Sequence, residues 1–482
     1  MSEKISVLQF GEGNFLRAFV EWMMDAAHKE GILAGKVAIA KAVPFGDLTP
    51  FREQNNEYTL ILRGILNGEL KNNVQKMTIV ADTVGSCEEY DRFMEYADLD
   101  SLEYIVSNTT EAGIVYDPAD KYENCPPVTY PGKLTKFLYR RFKTFEGAKE
   151  AGLYLLPCEL IAENGKNLRD CCIKTANNWG LEQDFIDWLD DACYFCDTLV
   201  DRIVTGYPRD EIAELEAKLG YSDKLLDVGE PFALWVIEDK GGLSKRQPLD
   251  KIGLPVKFTD DVKPYRDRKV RILNGCHTSM VLAAYLAGET IVRDCMNDPT
   301  IRKFAETCVY DEIIPTLTLD PEDCKNFASS VFERFANPFI DHQLLSIALN
   351  SVSKWKARCK DSFKDYIAKN GKLPKALTFS FAALIRFYAG KKTADGFMGM
   401  VNGSEYKIAD DAAVVDFFAE AASKLDETDA ASVRAYVTAA ASQTAFWGED
   451  LTAIEGFVDA VTDGMLAIAQ KGAREAMADI VK

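Results

Sequence analysis

The nine residues KVRILNGCH, from Lys269 to His277, hold three side chains whose types and spacing suit one reaction. Lys269, Asn274 and His277 supply an amine, an amide and an imidazole. On a helix, Asn274 and His277 stand three apart and share a face. Lys269 lies about two turns back, about 80° round from His277 at roughly 100° per residue. The trio suits interconversion of an alcohol and a ketone. A neutral amine takes the proton as the alcohol is oxidised and returns it in reduction. The amide and the imidazole hold the oxygen as negative charge develops on it. Lys263, Arg266, Arg268 and Arg271 surround this amine against only Asp267, and like charge nearby favours a neutral lysine. The same residues also read as a basic helix start with a satisfied histidine, and spacing alone leaves both readings open.

Further back, ISVLQF, Ile5 to Phe10, reads as a short buried strand that runs straight into Gly11-Glu12-Gly13. Phe15, Leu16, Phe19, Val20, Met23 and Ala27 then recur at helical spacing, with Gly31 as the stop. Strand, Gly-x-Gly, helix is the layout that seats a pyrophosphate on N–H groups at a helix N-terminus. Leu16 stands where the usual third glycine would be, so the turn alone is a weak signal. A second strand over 37–43 should end beside the residue that reads the adenosine ribose. It ends in Val43-Pro44, with Asp47 the nearest acid, which leaves NAD and NADP both open.

Strand-like runs follow at 58–62, 77–81, 104–107 and 153–156. The polar turn after the third of these places Asn108, Thr109 and Glu111 at a strand's carboxyl end, where ligands of a parallel sheet gather. A plain capping turn reads the same way. Residues 133–149, with Arg140 and Arg141, read as a helix with a solvated basic face. A helix over 211–219 and a strand over 232–238 close the first part, and Asp260, Asp261 and Pro264 mark a boundary.

From Tyr265 onward apolar residues recur at three and four almost throughout, including the stretch that holds Asn337, His342 and Lys354. No strand–turn–strand signal stands out there, and the Ala-rich stretch after Asp410 also reads as helices. The expected architecture is α/β: an N-terminal Rossmann-like doubly wound domain over 1–262, then a mostly α-helical C-terminal domain over 263–482. The active site is expected in the cleft between them.

Composition narrows the function. At 482 residues, 47% apolar and 27% charged, the chain has the make-up of a soluble globular protein of two or three domains. No apolar run approaches the roughly 18 residues of a membrane span, and the N-terminus lacks the layout of a secretion signal. A net charge of −19 argues against nucleic acid and makes the basic cluster over 263–271 a candidate pocket for a small anion. Such a charge run also reads as solvated surface. Twelve cysteines without a signal read as reduced cytosolic thiols. The single CxxC of Cys193 and Cys196 has no second pair at zinc-ribbon spacing, and only three histidines occur, so metal-free chemistry is expected. The expected setting is the cytoplasm, as a monomer or small homo-oligomer.

KVRILNGCH, with its Lys-x4-Asn-x2-His spacing, resembles the signature of the polyol-specific long-chain dehydrogenases, a family that includes mannitol dehydrogenases and hexuronate reductases. TLVDRIVTGYPRDE and RFANPFIDHQLLSIALN carry the resemblance further, and it runs from Val7 to about Ala476. The family's Gly-x-Gly-x-Phe-x-Arg-Ala turn is matched by Gly11, Gly13, Phe15, Arg17 and Ala18. The resemblance implies NAD as cofactor, held by Gly11, Gly13, Asn14, Phe15 and Arg17 with Asn108 and Thr109. It implies Lys269 as acid–base, Asn274 and His277 on the oxygen, and Asp201 as a proton relay. Asn164, in LLPCELIAENG, is implied as a contact of cofactor or substrate, and Lys354 as a substrate contact. Two positions depart from the mannitol enzymes. Leu160 replaces an asparagine that helps bind the oxygen there, and Arg266 stands where they resemble one another in having an acidic gate. Arginine there suits a substrate with a carboxylate. D-fructuronate or a neutral polyol as substrate within the family, a 3-hydroxyacid dehydrogenase from another class, or an NADH-sensing role without turnover are the alternatives.

Overall fold

The computed structural model describes residues 3–110 and 112–482, and Glu111 lies outside the described residues. The chain forms two compact units, one of residues 1–64 and 70–262, the other of 65–69 and 263–482.

In the first unit, Ile5–Phe10 (β1) is buried along its whole length. It is flanked by Lys36–Lys41 (β2), Val80–Gly85 (β3), Tyr104–Ser107 (β4), Tyr154–Pro157 (β5) and Tyr194–Phe195 (β6). The order across the sheet is β3-β2-β1-β4-β5-β6, with every pair parallel. Apolar residues on both faces are what an all-parallel sheet requires. Val7 packs into one core, while Leu8 and Phe10 pack into the other. The order reverses beside β1, between β2 and β4, and ligands bind outside the carboxyl ends of strands at such a switch point. Two smaller sheets complete the unit. One joins Thr198–Asp201 to Leu234–Glu238 and Val256–Thr259, the other joins Val204–Gly206, Asp227–Gly229, Tyr58–Leu66 and Glu69–Met77.

Two sequence expectations fail here. Glu69–Met77 is a strand the sequence did not reveal, because it is polar and exposed along most of its length and shows no apolar alternation. The helix Tyr130–Thr144 is not a solvated basic face. Arg140 pairs with Asp98, and Arg141 is 2% exposed, donating to the carbonyls of Ala97, Leu99, Ala151 and Leu102. A guanidinium with five donors can replace its lost water with main-chain oxygens.

The second unit is built around Gly275–Leu286 and Lys375–Phe387, both buried on nearly every side and packed against each other. A helix apolar all round belongs inside a bundle. The unit is not helical throughout. Lys391–Thr393, Gly396–Val401 and Ser404–Ile408 form an antiparallel sheet. Its second turn is Asn402-Gly403, at φ 49° and 79°, the positive pair of a tight hairpin turn. Residues 336–342 are also non-helical, so Asn337 and His342 lie on an irregular connection that follows the helix Pro321–Phe335. Pro338 cannot supply the N–H that would continue that helix.

Candidate functional site

The Gly-x-Gly turn sits at the carboxyl end of β1. Gly11 has φ +120°, a conformation that side chains rarely adopt, and a Cβ there would meet the Asn108 carbonyl at 3.3 Å. Gly13 differs, since a Cβ there would meet nothing within 4 Å. It precedes a continuous helical stretch over 14–29, whose residues Arg17–Glu21 form a π turn. Open space over exposed N–H groups at a helix start, beside a switch point, fits the pyrophosphate of a dinucleotide.

Behind the turn lies a buried polar chain that the sequence did not announce. Gln9 Nε2 donates to the Gly11 carbonyl at 2.8 Å and to Glu21 at 2.7 Å, and the Tyr58 hydroxyl donates to the other Glu21 oxygen at 2.7 Å. Burial holds Glu21 above the usual carboxylate range, against hydrogen bonds from Tyr58 and Gln9 and the charge of Arg17. Arg17 belongs to this chain. It is 5% exposed, lies over Phe51 and Tyr58, and donates to the Leu225 carbonyl and to Asn14. Its place in the family turn is therefore to brace Asn14 from below. Phe15 stacks on Phe19 at 5.0 Å, and Asn14 is exposed.

At the ends of β4 and β5, Glu159 accepts from Ser107 Oγ at 3.1 Å and from both the N–H and the hydroxyl of Thr109 at 3.0 Å. Glu159 is 2% exposed, and burial raises its pKa despite these bonds. Thr109 is thus held by its neighbour, while Asn108 donates its N–H to the Phe10 carbonyl. Asn164, expected to touch cofactor or substrate, is 1% exposed. Its amide donates to the Pro157, Glu159 and Thr198 carbonyls, and its oxygen accepts from Gly165 and Thr198 N–H. An amide so fully used fixes the strand ends and has no donor left for a ligand. Asp201 ends the strand Thr198–Asp201 and is 4% exposed. Leu160 is 61% exposed.

In the second unit, Lys263–Arg268 is α-helical, Lys269–Asn274 is a π turn and Gly275–Leu286 is α-helical again. The uniform helix expected from the sequence is corrected by this turn. Residues five apart sit about 140° apart on an α-helix at roughly 100° per residue. A π turn closes its hydrogen bond across five residues and so brings such a pair onto one face. Lys269 and Asn274 are that pair, with His277 three residues on. Gly275 is needed for packing, because a Cβ would meet the Arg358 carbonyl at 3.1 Å.

The His277 ring stacks on Phe335 at 4.0 Å and meets the His342 ring edge-on at 5.6 Å. Its Nε2 is buried with no hydrogen-bond partner. Burial holds its pKa well below the ordinary value, helped by His342, Arg334, Arg358 and Lys354. The imidazole is neutral at pH 7.

The expected basic cluster divides. Lys263 pairs with Asp267 at 2.5 Å, Arg271 pairs with Asp365 at 2.6 Å, and Arg268 lies over Tyr265 and Phe327. Arg266 stands one turn before Lys269 and is partly buried. The cations that reach His277 come from other segments. Lys354 and Arg358 lie one turn apart on Ser351–Arg358, and Arg334 on Pro321–Phe335. Sequence reasoning singled out Lys354 but missed Arg358, for which the i, i+4 spacing was the available signal.

Two family descriptions cover this chain. "Mannitol dehydrogenase Rossmann domain" matches residues 5–251 and "Mannitol dehydrogenase C-terminal domain" matches 261–469. Among curated relatives, the altronate oxidoreductases of Escherichia coli O7:K1 and Klebsiella pneumoniae (strain 342) are each 42% identical over 472 residues. In both cases 98% of this chain and 96% of the relative are covered. Among solved structures, a substrate-free D-sorbitol dehydrogenase superposes with TM-score 0.79 at 21% identity, over 98% of this chain and 95% of that one. The Pseudomonas fluorescens mannitol 2-dehydrogenase ternary complex gives 0.68 at 21% identity, over 98% and 94%.

Proposed function

The chain belongs to the mannitol dehydrogenase family, and from that premise we propose that it interconverts D-tagaturonate and D-altronate with NAD, a step of hexuronate catabolism. The observation that carries this reading is the 42% identity to altronate oxidoreductases across 98% of the chain. NAD, when bound, accepts a hydride from the carbinol carbon of altronate or delivers one, as NADH, to the ketone of tagaturonate. Gly11, Gly13, Asn14 and Phe15, with Arg17 bracing Asn14, are the residues that would hold its pyrophosphate, and Asn108 and Thr109 those that would contact the nicotinamide.

The protein's own groups manage the oxygen and its proton. Lys269 Nζ gives a proton to the ketone oxygen in reduction and, as a neutral amine, removes it in oxidation. Asn274 and His277 hold that oxygen as charge develops. A neutral imidazole has one N–H to donate, and the unpartnered Nε2 is the atom free to do so. Asp201 is the candidate relay for the lysine's proton. Arg266 and Lys354 favour a substrate that carries a carboxylate, which separates a hexuronate from a neutral polyol.

Purified protein assayed for NADH loss with D-tagaturonate, D-fructuronate and D-fructose, and with NADPH in parallel, tests the reading. Fast, NADH-selective turnover of tagaturonate is expected. Preference for fructuronate or fructose would move the substrate within the family, and absence of turnover with all three would remove the assignment.

A further inference from the structure

Lys354 and Arg358 are an anomaly in an acidic protein. The chain carries 75 acidic and 56 basic residues, and several of its partly buried cations have a carboxylate beside them. Lys360 has Glu449, Arg271 has Asp365 and Arg386 has Glu427. Lys354 and Arg358 have none among the described residues. The Lys354 amine donates to the Ile347 carbonyl at 2.9 Å, and Arg358 Nη1 lies 3.4 Å from Thr278 Oγ1. The acid whose charge reaches Lys354, Asp410, is taken up by the Val352 N–H and the Tyr388 hydroxyl. Two partly buried like charges a turn apart oppose each other, and burial disfavours both. An arrangement of this kind is stabilised when an anion sits between the two charges.

Their position says what the anion belongs to. Thr278 follows His277 directly, so Arg358 reaches the helix that carries the unpartnered imidazole. The close approach is built in, since Gly275 leaves room for the Arg358 carbonyl and the Cys359 thiol donates to the Gly275 carbonyl at 3.7 Å. Phe335 covers one face of the imidazole. A ligand oxygen bound at His277 therefore has a cationic pair alongside.

Resting on the reading above, we infer that Arg358, together with Lys354, binds the carboxylate of the sugar acid and is a further specificity-determining residue of this enzyme. The guanidinium offers two parallel N–H donors to the two carboxylate oxygens, and the lysine adds a point charge. A neutral ketose or polyol would leave both cations unpaired in a partly buried place, so selectivity comes from that penalty as much as from the new bond.

The test uses the full-length enzyme with Arg358→Met, Arg358→Lys and Arg266→Met. Arg358→Met should raise KM for tagaturonate by roughly 10- to 100-fold, the range for a lost charge-assisted hydrogen bond. It should change kcat much less and leave kcat/KM for fructose unchanged or higher. Arg358→Lys should recover part of the loss. A melting panel with NAD plus altronate, gluconate or mannitol reads binding without turnover. Wild type should be stabilised by the acids over mannitol, and Arg358→Met should lose that preference while melting normally by itself. If no hexuronate is turned over but acid-selective stabilisation still depends on Arg358, the substrate assignment fails and the anion site stands. Equal losses for tagaturonate and fructose, or selectivity that vanishes in Arg266→Met and survives in Arg358→Met, would overturn the inference.

Discussion

Lys269 has one proton to move, and its neighbours set how well it can do so. Its removal should leave the oxygen held by Asn274 and His277 but without a proton source. Lys269→Ala is expected to lower kcat by about 10² or more with a smaller change in KM, the usual loss for a positioned acid–base group. Steady-state kinetics at saturating NADH measure this, and a kcat within a few-fold of wild type would exclude the role. At this scale the sequence was informative about identity and poor about surroundings. Lys269, Asn274 and His277 were readable because their types and spacing are chemical. The neighbours were not, because Lys263 and Arg271 pair with Asp267 and Asp365, while the cations around His277 arrive from residues 57 to 81 positions later. Asn164 was implied by resemblance as a contact of cofactor or substrate, yet its amide is consumed by main chain that only the fold brings near.

The β1–turn–helix element makes two glycines do different work, and substitution separates them. Gly11→Ala forces a Cβ into a positive-φ position against the Asn108 carbonyl, and should cost about 1–3 kcal/mol of stability. Gly13→Ala meets nothing, so its melting temperature should stay near wild type while KM for NADH rises severalfold. Thermal melts paired with NADH titrations distinguish the two, and a Gly13 variant with normal cofactor affinity would remove that turn from the binding site. Elements were legible where period and burial agree, as in ISVLQF. They were hidden where a strand is solvated on both faces, as in Glu69–Met77. Asn402-Gly403 was legible in principle, being a strong hairpin signal, but the helical periods around it dominated the reading. The π turn at Lys269–Asn274 was not legible, since a change in hydrogen-bond register leaves no mark on composition.

At the scale of the whole molecule, folding buries a carboxyl within reach of the charges of Arg17, Glu21 and Arg202. Asp227 is fully buried, and burial pushes its pKa up to about 7 against the opposing pull of Arg17. The folded protein therefore binds this proton more tightly than the unfolded chain does. The stability that goes with it is complete below the ordinary carboxylate range and is lost as pH rises through about 7. Asp227→Asn should flatten the fall in melting temperature between pH 5 and pH 8, and melts at both pH values check it. An unchanged difference between them would place the proton elsewhere. The chain divides into a parallel-sheet unit and a mostly helical unit, and the two matched family descriptions, over 5–251 and 261–469, fall one on each. Hydride transfer between NADH and tagaturonate can be followed by isotope label. NADH carrying deuterium at the reactive position, incubated with enzyme and D-tagaturonate, should give D-altronate one mass unit heavier. Unlabelled altronate, or no altronate at all, would exclude this transfer.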